Sequence, residues 1–208
     1  MCGTENQIQD GTLPEPKGPP DFDTRPGEPL RGTIILWIQR CVQCGYCAED
    51  MTHATPEAEA ILATPEYQSF LHAEMPAGAR AFLAYSCLLS MHHQHADAGW
   101  SSLHAAWICD DVGLRAEASE CRTRTIALWK QGKQAGQTFG DDLASEFALI
   151  TDLHRRIGEF EHATVACADA LDIEDIQPVL EVILRRQMTL IQSRDMAAHN
   201  LRELIPRP

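Results

Sequence analysis

The residues best suited to chemistry stand in "CVQCGYCAED", residues 41–50, where Cys41, Cys44 and Cys47 recur at every third position. Cys41-Val42-Gln43-Cys44-Gly45 has the form of a zinc knuckle. Two thiolates two residues apart can grip one tetrahedral ion, and the glycine permits the turn that aims backbone N–H groups at the sulfurs. Cys2-Gly3 is a second half-knuckle. Its full partner would be Cys-x-x-Cys-Gly, with the first cysteine before residue 1, so the chain reads as beginning inside its own motif. Cys2, Cys41 and Cys44 are the expected zinc ligands. Cys47 is the nearest candidate for the fourth, with His53 behind it. Two alternatives stay open. Cys-x2-Cys-x2-Cys also occurs in ferredoxin-type iron–sulfur runs, although no Cys-Pro follows here. The stretch can also be a metal-free remnant with free thiols.

Two further groups bear on reactivity. "MHHQHAD" (91–97) places His92 and His95 one turn apart, where they could share a metal, with His104 beyond; the competing reading is a solvated helix end. Asp110 and Asp111 continue the Trp100–Leu103–Trp107 stripe. Paired carboxylates can do acid–base work. They can equally anchor Arg115, Arg122 or Arg124 of the next helix, and Asp152 with Arg155 and Arg156 repeats that acid–arginine theme. At least one of Asp110 and Asp111 is therefore expected to be buried and paired. Cys87, Cys109, Cys121 and Cys167 fall on apolar helix faces and read as small core residues. No phosphate-binding glycine loop and no G-x-S-x-G elbow occurs.

These residues need positioning elements. Residues 9–32 hold six prolines and read as an extended or polyproline-like connection. "TIILWIQR" (33–40) is β-branched and aromatic, which predicts a strand leading into the cysteines. "TPEAEAILATPEYQSFLHAEMP" (55–76) predicts two short helices, each opened by a Thr-Pro pair. From residue 77 the period is helical. It predicts helices over 77–96, 99–112, 115–133, 141–157, 159–171 and 174–193, with breaks at Gly113, Gly140 and Gly158. In the helix over 141–157 the apolar stripe reads Leu143, Phe147, Ile150, Ile157. The predicted fold is mainly α, a bundle of helical hairpins with a small N-terminal zinc-ribbon-like β element. Residues 1–54 would form the zinc-ribbon-like segment with its Pro-rich loop, and 55–208 the helical domain.

"LHAAWICDDVGLRAEASECRTRTIAL" (103–128) and "FALITDLHRRIGEFEHATVACADAL" (147–171) align at a period of 45 residues. Each runs helix, glycine, then alanine five residues later: Gly113 with Ala118, Gly158 with Ala163. Small residues there let antiparallel helices approach closely. "DLHRRIGEFEHATVACADAL" resembles a tetratricopeptide unit, with Gly158, Phe160 and Ala163 where that family keeps its pattern. Such hairpins commonly build protein-binding surfaces. The chain as a whole resembles a family of uncharacterised bacterial proteins containing a domain of unknown function. That resemblance rests on "CGTENQ", "FDTRPGEP", "CVQCGYCAED" and "AAWICDD…CR". It implies zinc binding and a helical repeat, and no activity.

The net charge of −13 opposes non-specific binding to nucleic acid, which depends on neutralising phosphates. The first fifty residues are no exception: Lys17, Arg25, Arg31 and Arg40 face eight acids. No run approaches 18 apolar residues, so no membrane span is expected, and the N-terminus lacks the regions of a secretory signal. A cytoplasmic location is the default, where close cysteines read as metal or redox chemistry before disulfide. The function expected is a zinc-binding adaptor that binds another protein, its partner unspecified. The alternative is a metal- or thiol-dependent enzyme using the cysteine cluster or the His92–His95 run.

Overall fold

The computed structural model describes residues 2–4, 12–54 and 57–204. The protein is mainly α-helical with one small two-stranded β element. The strand expected over 33–40 is instead largely a 3-10 helix, Arg31–Leu36. Ile34 and Ile38, four apart, are buried while Ile35 between them is exposed. Across the same turn, the Trp37 indole donates to Thr33 Oγ1 at 3.0 Å. Burial on a helical spacing thus overrides the β preference of the isoleucines. Only Gln39–Arg40 (β1) is extended. It pairs antiparallel with Cys47–Ala48 (β2), Gln39 opposite Ala48 and Arg40 opposite Cys47.

Two compact units divide the chain. One comprises Met1–Leu13 and Gly32–Gln137, the other Pro14–Arg31 and Thr138–Pro208. This division differs from the expected 1–54 and 55–208, because the cysteine hairpin packs with the first helices while the proline-rich segment packs with the last.

In the first unit, α1 (Ala58–Leu62) and α2 (Pro65–Leu71) are the two short helices expected. Thr64 caps α2 by accepting from Tyr67 N, with Pro65 in the first turn. The other pair, Thr55-Pro56, lies outside the described residues. α3 (Ala77–Met91), α4 (His95–Asp111) and α5 (Arg115–Gln134) then fold back on one another in turn. Their connections share one geometry. Gly113 takes φ +76°, and Leu114 N donates to Cys109 O at 2.9 Å while Gly113 N donates to Asp110 O. This double bond closes the helix end on a left-handed residue. His93, at φ +60°, does the same after α3: Gln94 N donates to Leu89 O. The break expected between 96 and 99 therefore falls earlier, at His92–Gln94, where no glycine marks it. The alanine five residues on, Ala98, was the available signal, and it is fully buried like Ala118.

α4 and α5 are in close contact at Gly99. A Cβ added there would lie 2.2 Å from Trp129 Nε1, and that indole donates to Ala96 O at 3.1 Å. Gly99→Ala is expected to push the indole off its acceptor and cost about 1–3 kcal/mol by overpacking. Urea denaturation with an unchanged midpoint would contradict this packing.

In the second unit, α6 (Leu143–Arg156) begins in a capping box between Asp142 and Ser145. It turns at Gly158, φ +83°, into α7 (Phe160–Leu171), and α8 (Pro178–Gln192) packs on both. Ala163 is fully buried in the α6–α7–α8 core with Cys167, Ala170 and Leu184. Gly140, where a break was also expected, has no positive φ; it lies close against Ser145 and Glu146. The stripe expected on α6 is displaced. Leu143 is exposed, while Ala144, Ala148, Thr151, Asp152 and Arg155 are buried. A buried ion pair, Arg155 Nη2 to Asp152 Oδ1 at 2.6 Å, occupies the inner face. The proline-rich segment is not a plain connection either. Phe22 packs on Ile183 and Leu190, Phe22 N donates to His199 O, and Leu201 N donates to Pro20 O.

Candidate metal centre

The cysteine turn lies between β1 and β2. Cys41 N donates to Tyr46 O at 2.8 Å and Gly45 N to Cys41 O at 3.0 Å, closing a tight turn with Gly45 at φ +76°. A Cβ at Gly45 would also meet Leu71 of α2 at 2.7 Å, so glycine is required twice over. The turn is pinned from α2. The Tyr67 hydroxyl, fully buried, donates to Gly45 O at 2.9 Å and accepts from Cys47 N at 3.0 Å. Tyr67→Phe strands Cys47 N and leaves Gly45 O with only the weak Cys47 thiol as donor, and is expected to cost about 1–3 kcal/mol, read as a lowered denaturation midpoint. A silent substitution would mean that the turn holds itself.

Cys2 is brought to this turn from 39 residues away. Its Sγ lies 3.6 Å from Cys41 Sγ and donates to Thr4 Oγ1 at 3.3 Å. The sulfurs of Cys2, Cys41 and Cys44 all lie within 4.8 Å of one another, close enough to hold a metal ion. With metal–sulfur bonds near 2.3 Å, tetrahedral geometry places ligand sulfurs about 3.8 Å apart, and the observed cluster needs little adjustment. Among the described residues no fourth cysteine, histidine or carboxylate joins this set.

Cys47, expected as the fourth ligand, is not brought into the group. Its fully buried thiol donates to Gly45 O at 3.3 Å, beneath the turn. The hairpin pairing that places Cys47 opposite Arg40 fixes it there, a constraint that even spacing of three did not reveal. The His53 side chain lies outside the described residues.

Electrostatics separate the thiols. Burial pushes Cys47 and Cys44 up to about 11, and for Cys44 the neighbouring Cys2 and Cys41 add to the rise. Cys2, exposed, is lowered by hydrogen bonds from Thr4. Without a cation Cys44 therefore holds its proton at neutral pH. Binding a divalent ion would expel it, since the thiolate is the ligand.

The other candidates resolve into structure. Arg122, buried on α5, donates to both oxygens of Asp110 at 3.3 and 2.6 Å. The expected pairing to the next helix thus falls on Asp110, which is half-buried rather than buried, while Asp111 stands at the exposed helix end. His104 is packed among the rings of Trp37, Phe82, Trp100 and Trp107. His92 and His95 join no three-ligand group among the described residues. Cys87, Cys109, Cys121 and Cys167 are buried as expected.

His92 instead lines a cleft of about 790 Å³, which the sequence did not announce. The segment following the cysteine turn contributes Tyr46, Glu49 and Asp50, α3 contributes Tyr85, and α4 contributes Asp97 and Trp100. Among the described residues no lysine or arginine lines it. Partial loss of solvent, and then the Asp97 carboxylate, push Glu49 up. Tyr85 is raised to about 12 by burial first and then by Glu49, Tyr46 and Asp97. The cleft is thus aromatic-walled and anionic. Its residues looked like core and solvated surface because they come from three separate stretches. No helix among the described residues is long and apolar enough to cross a membrane.

Comparison with family models, with characterised proteins and with solved structures finds no match.

Proposed function

We propose that this protein is a zinc-binding helical-repeat adaptor, with Cys2, Cys41 and Cys44 as zinc ligands and a protein as its partner. The observation that carries the reading is the convergence of three thiols from two distant chain segments on one point. Core packing alone does not call for that arrangement, and three thiolates select a soft or borderline ion such as zinc over magnesium or calcium. The cleft beside the cysteine hairpin supports a partner that presents lysine or arginine. Carboxylates attract such a side chain, and tyrosine and tryptophan faces hold it by cation–π contact.

The test is titration of the zinc-loaded protein with a lysine- and arginine-rich peptide and with an acidic peptide of equal length. The basic peptide is expected to bind and Asp97→Asn to weaken it; equal binding of both, or of neither, contradicts the docking reading. A second reading, a metal-dependent enzyme, is favoured by one observation: a three-thiol set leaves the fourth position to another ligand, as catalytic zinc sites do.

A further inference from the structure

A second cluster of metal-ligating groups lies in the other unit, where α6 turns into α7. His154 belongs to the last turn of α6, Glu159 to the connection, and His162 to the first turn of α7. Gly158 at φ +83° closes the turn, with Glu159 N donating to His154 O at 2.9 Å and Gly158 N to Arg155 O at 3.1 Å. This reversal is what brings the ends of the two helices together. Glu159 stands at the N-cap of α7 yet makes no capping bond with its side chain. Its carboxylate turns to the imidazoles instead. Oε2 lies 2.7 Å from His154 Nδ1 and 3.4 Å from His162 Nδ1. The two rings are 5.2 Å apart, and the three donor atoms all lie within 4.8 Å of one another.

We propose that His154, Glu159 and His162 form a metal site for a borderline divalent transition ion, of the class of Ni²⁺, Cu²⁺ or Zn²⁺. Two imidazoles and one carboxylate on one side of an ion leave the remaining positions to water or a further ligand, and nitrogen-rich sets favour these ions over magnesium and calcium. With bonds of about 2.0–2.2 Å, adjacent ligand atoms stand roughly 3.0–3.5 Å apart, the range the Glu159 contacts already approach. The plainer reading is a histidine–carboxylate ion pair. It requires protonated imidazole, whereas burial pulls His154 down before Glu159 partly offsets it. A metal takes the neutral imidazole, so its uptake displaces whatever proton the ion pair holds. The site goes beyond the adaptor reading and does not depend on the thiols.

The experiment is calorimetric titration with Ni²⁺ of protein loaded with a single equivalent of Zn²⁺, which the thiolates take up in preference to imidazole and carboxylate, leaving the His154 group open. The wild type is expected to take up Ni²⁺ with paramagnetic broadening of the His154 and His162 ring resonances. His162→Ala, at a side chain 71% exposed, should fold normally and weaken uptake by about tenfold or more. Glu159→Gln should weaken it as well, and His93→Ala, at the other histidine-rich turn, should leave it unchanged. Absence of Ni²⁺ uptake, or uptake lost with His93→Ala and kept with His162→Ala, overturns the site.

Discussion

Replacing Arg155 by alanine is expected to destabilise the unit that holds α6, α7 and α8 by about 3–5 kcal/mol. Arg155 is fully buried. One guanidinium nitrogen meets Asp152 at 2.6 Å, and the other donates to Asp195 O at 2.7 Å and Ala197 O at 2.8 Å. The substitution leaves the Asp152 carboxylate charged without this partner, in a place where it is only 2% exposed. It also frees two carbonyls of the segment that follows α8. Chemical denaturation followed by circular dichroism reads the loss. Arg155→Met combined with Asp152→Leu should recover much of it, since removing both charges removes the stranded one. A single substitution costing under about 1 kcal/mol would show that water reaches the pair.

The second large effect concerns the thiols. Cys41→Ser is expected to abolish zinc retention, because Cys41 is one of the three converging thiols and its backbone closes the turn. A metal that binds the folded form alone adds its binding energy to folding. Chelation should therefore lower the unfolding midpoint of the wild type and leave that of Cys41→Ser where it is. Equal chelator sensitivity in both would place the metal elsewhere. The pH dependence has a definite sign. Burial holds Cys44 at about 11, so binding must displace a proton, and zinc affinity should fall as pH falls.

Helices were legible in the sequence wherever apolar residues kept a helical period and a glycine marked the end, as at Gly113 and Gly158. The hinge after α3 was expected between 96 and 99 but falls earlier, because His93 takes the left-handed conformation that glycine usually supplies. The inner face of α6 was misread because a buried arginine and aspartate occupy it, and polar residues do not register as core in a hydrophobic pattern. Residues 33–40 illustrate the limit of propensity: isoleucines suited to a strand wind into a 3-10 turn because Ile34 and Ile38 share a buried face. At the metal centre, the knuckle spacing identified Cys41 and Cys44, and the Cys-Gly pair identified Cys2. Cys47 shared the spacing but not the position, since strand pairing sends its thiol to the Gly45 carbonyl. Convergence of His154, Glu159 and His162 depends on a helix reversal that spacing alone does not display.

The most direct measurement is X-ray absorption at the zinc edge on purified protein reconstituted with a single equivalent of zinc. The account predicts bound zinc with about three sulfur neighbours at roughly 2.3 Å and a lighter atom completing the shell. Protein that retains no zinc, or zinc whose shell contains no sulfur, would contradict it.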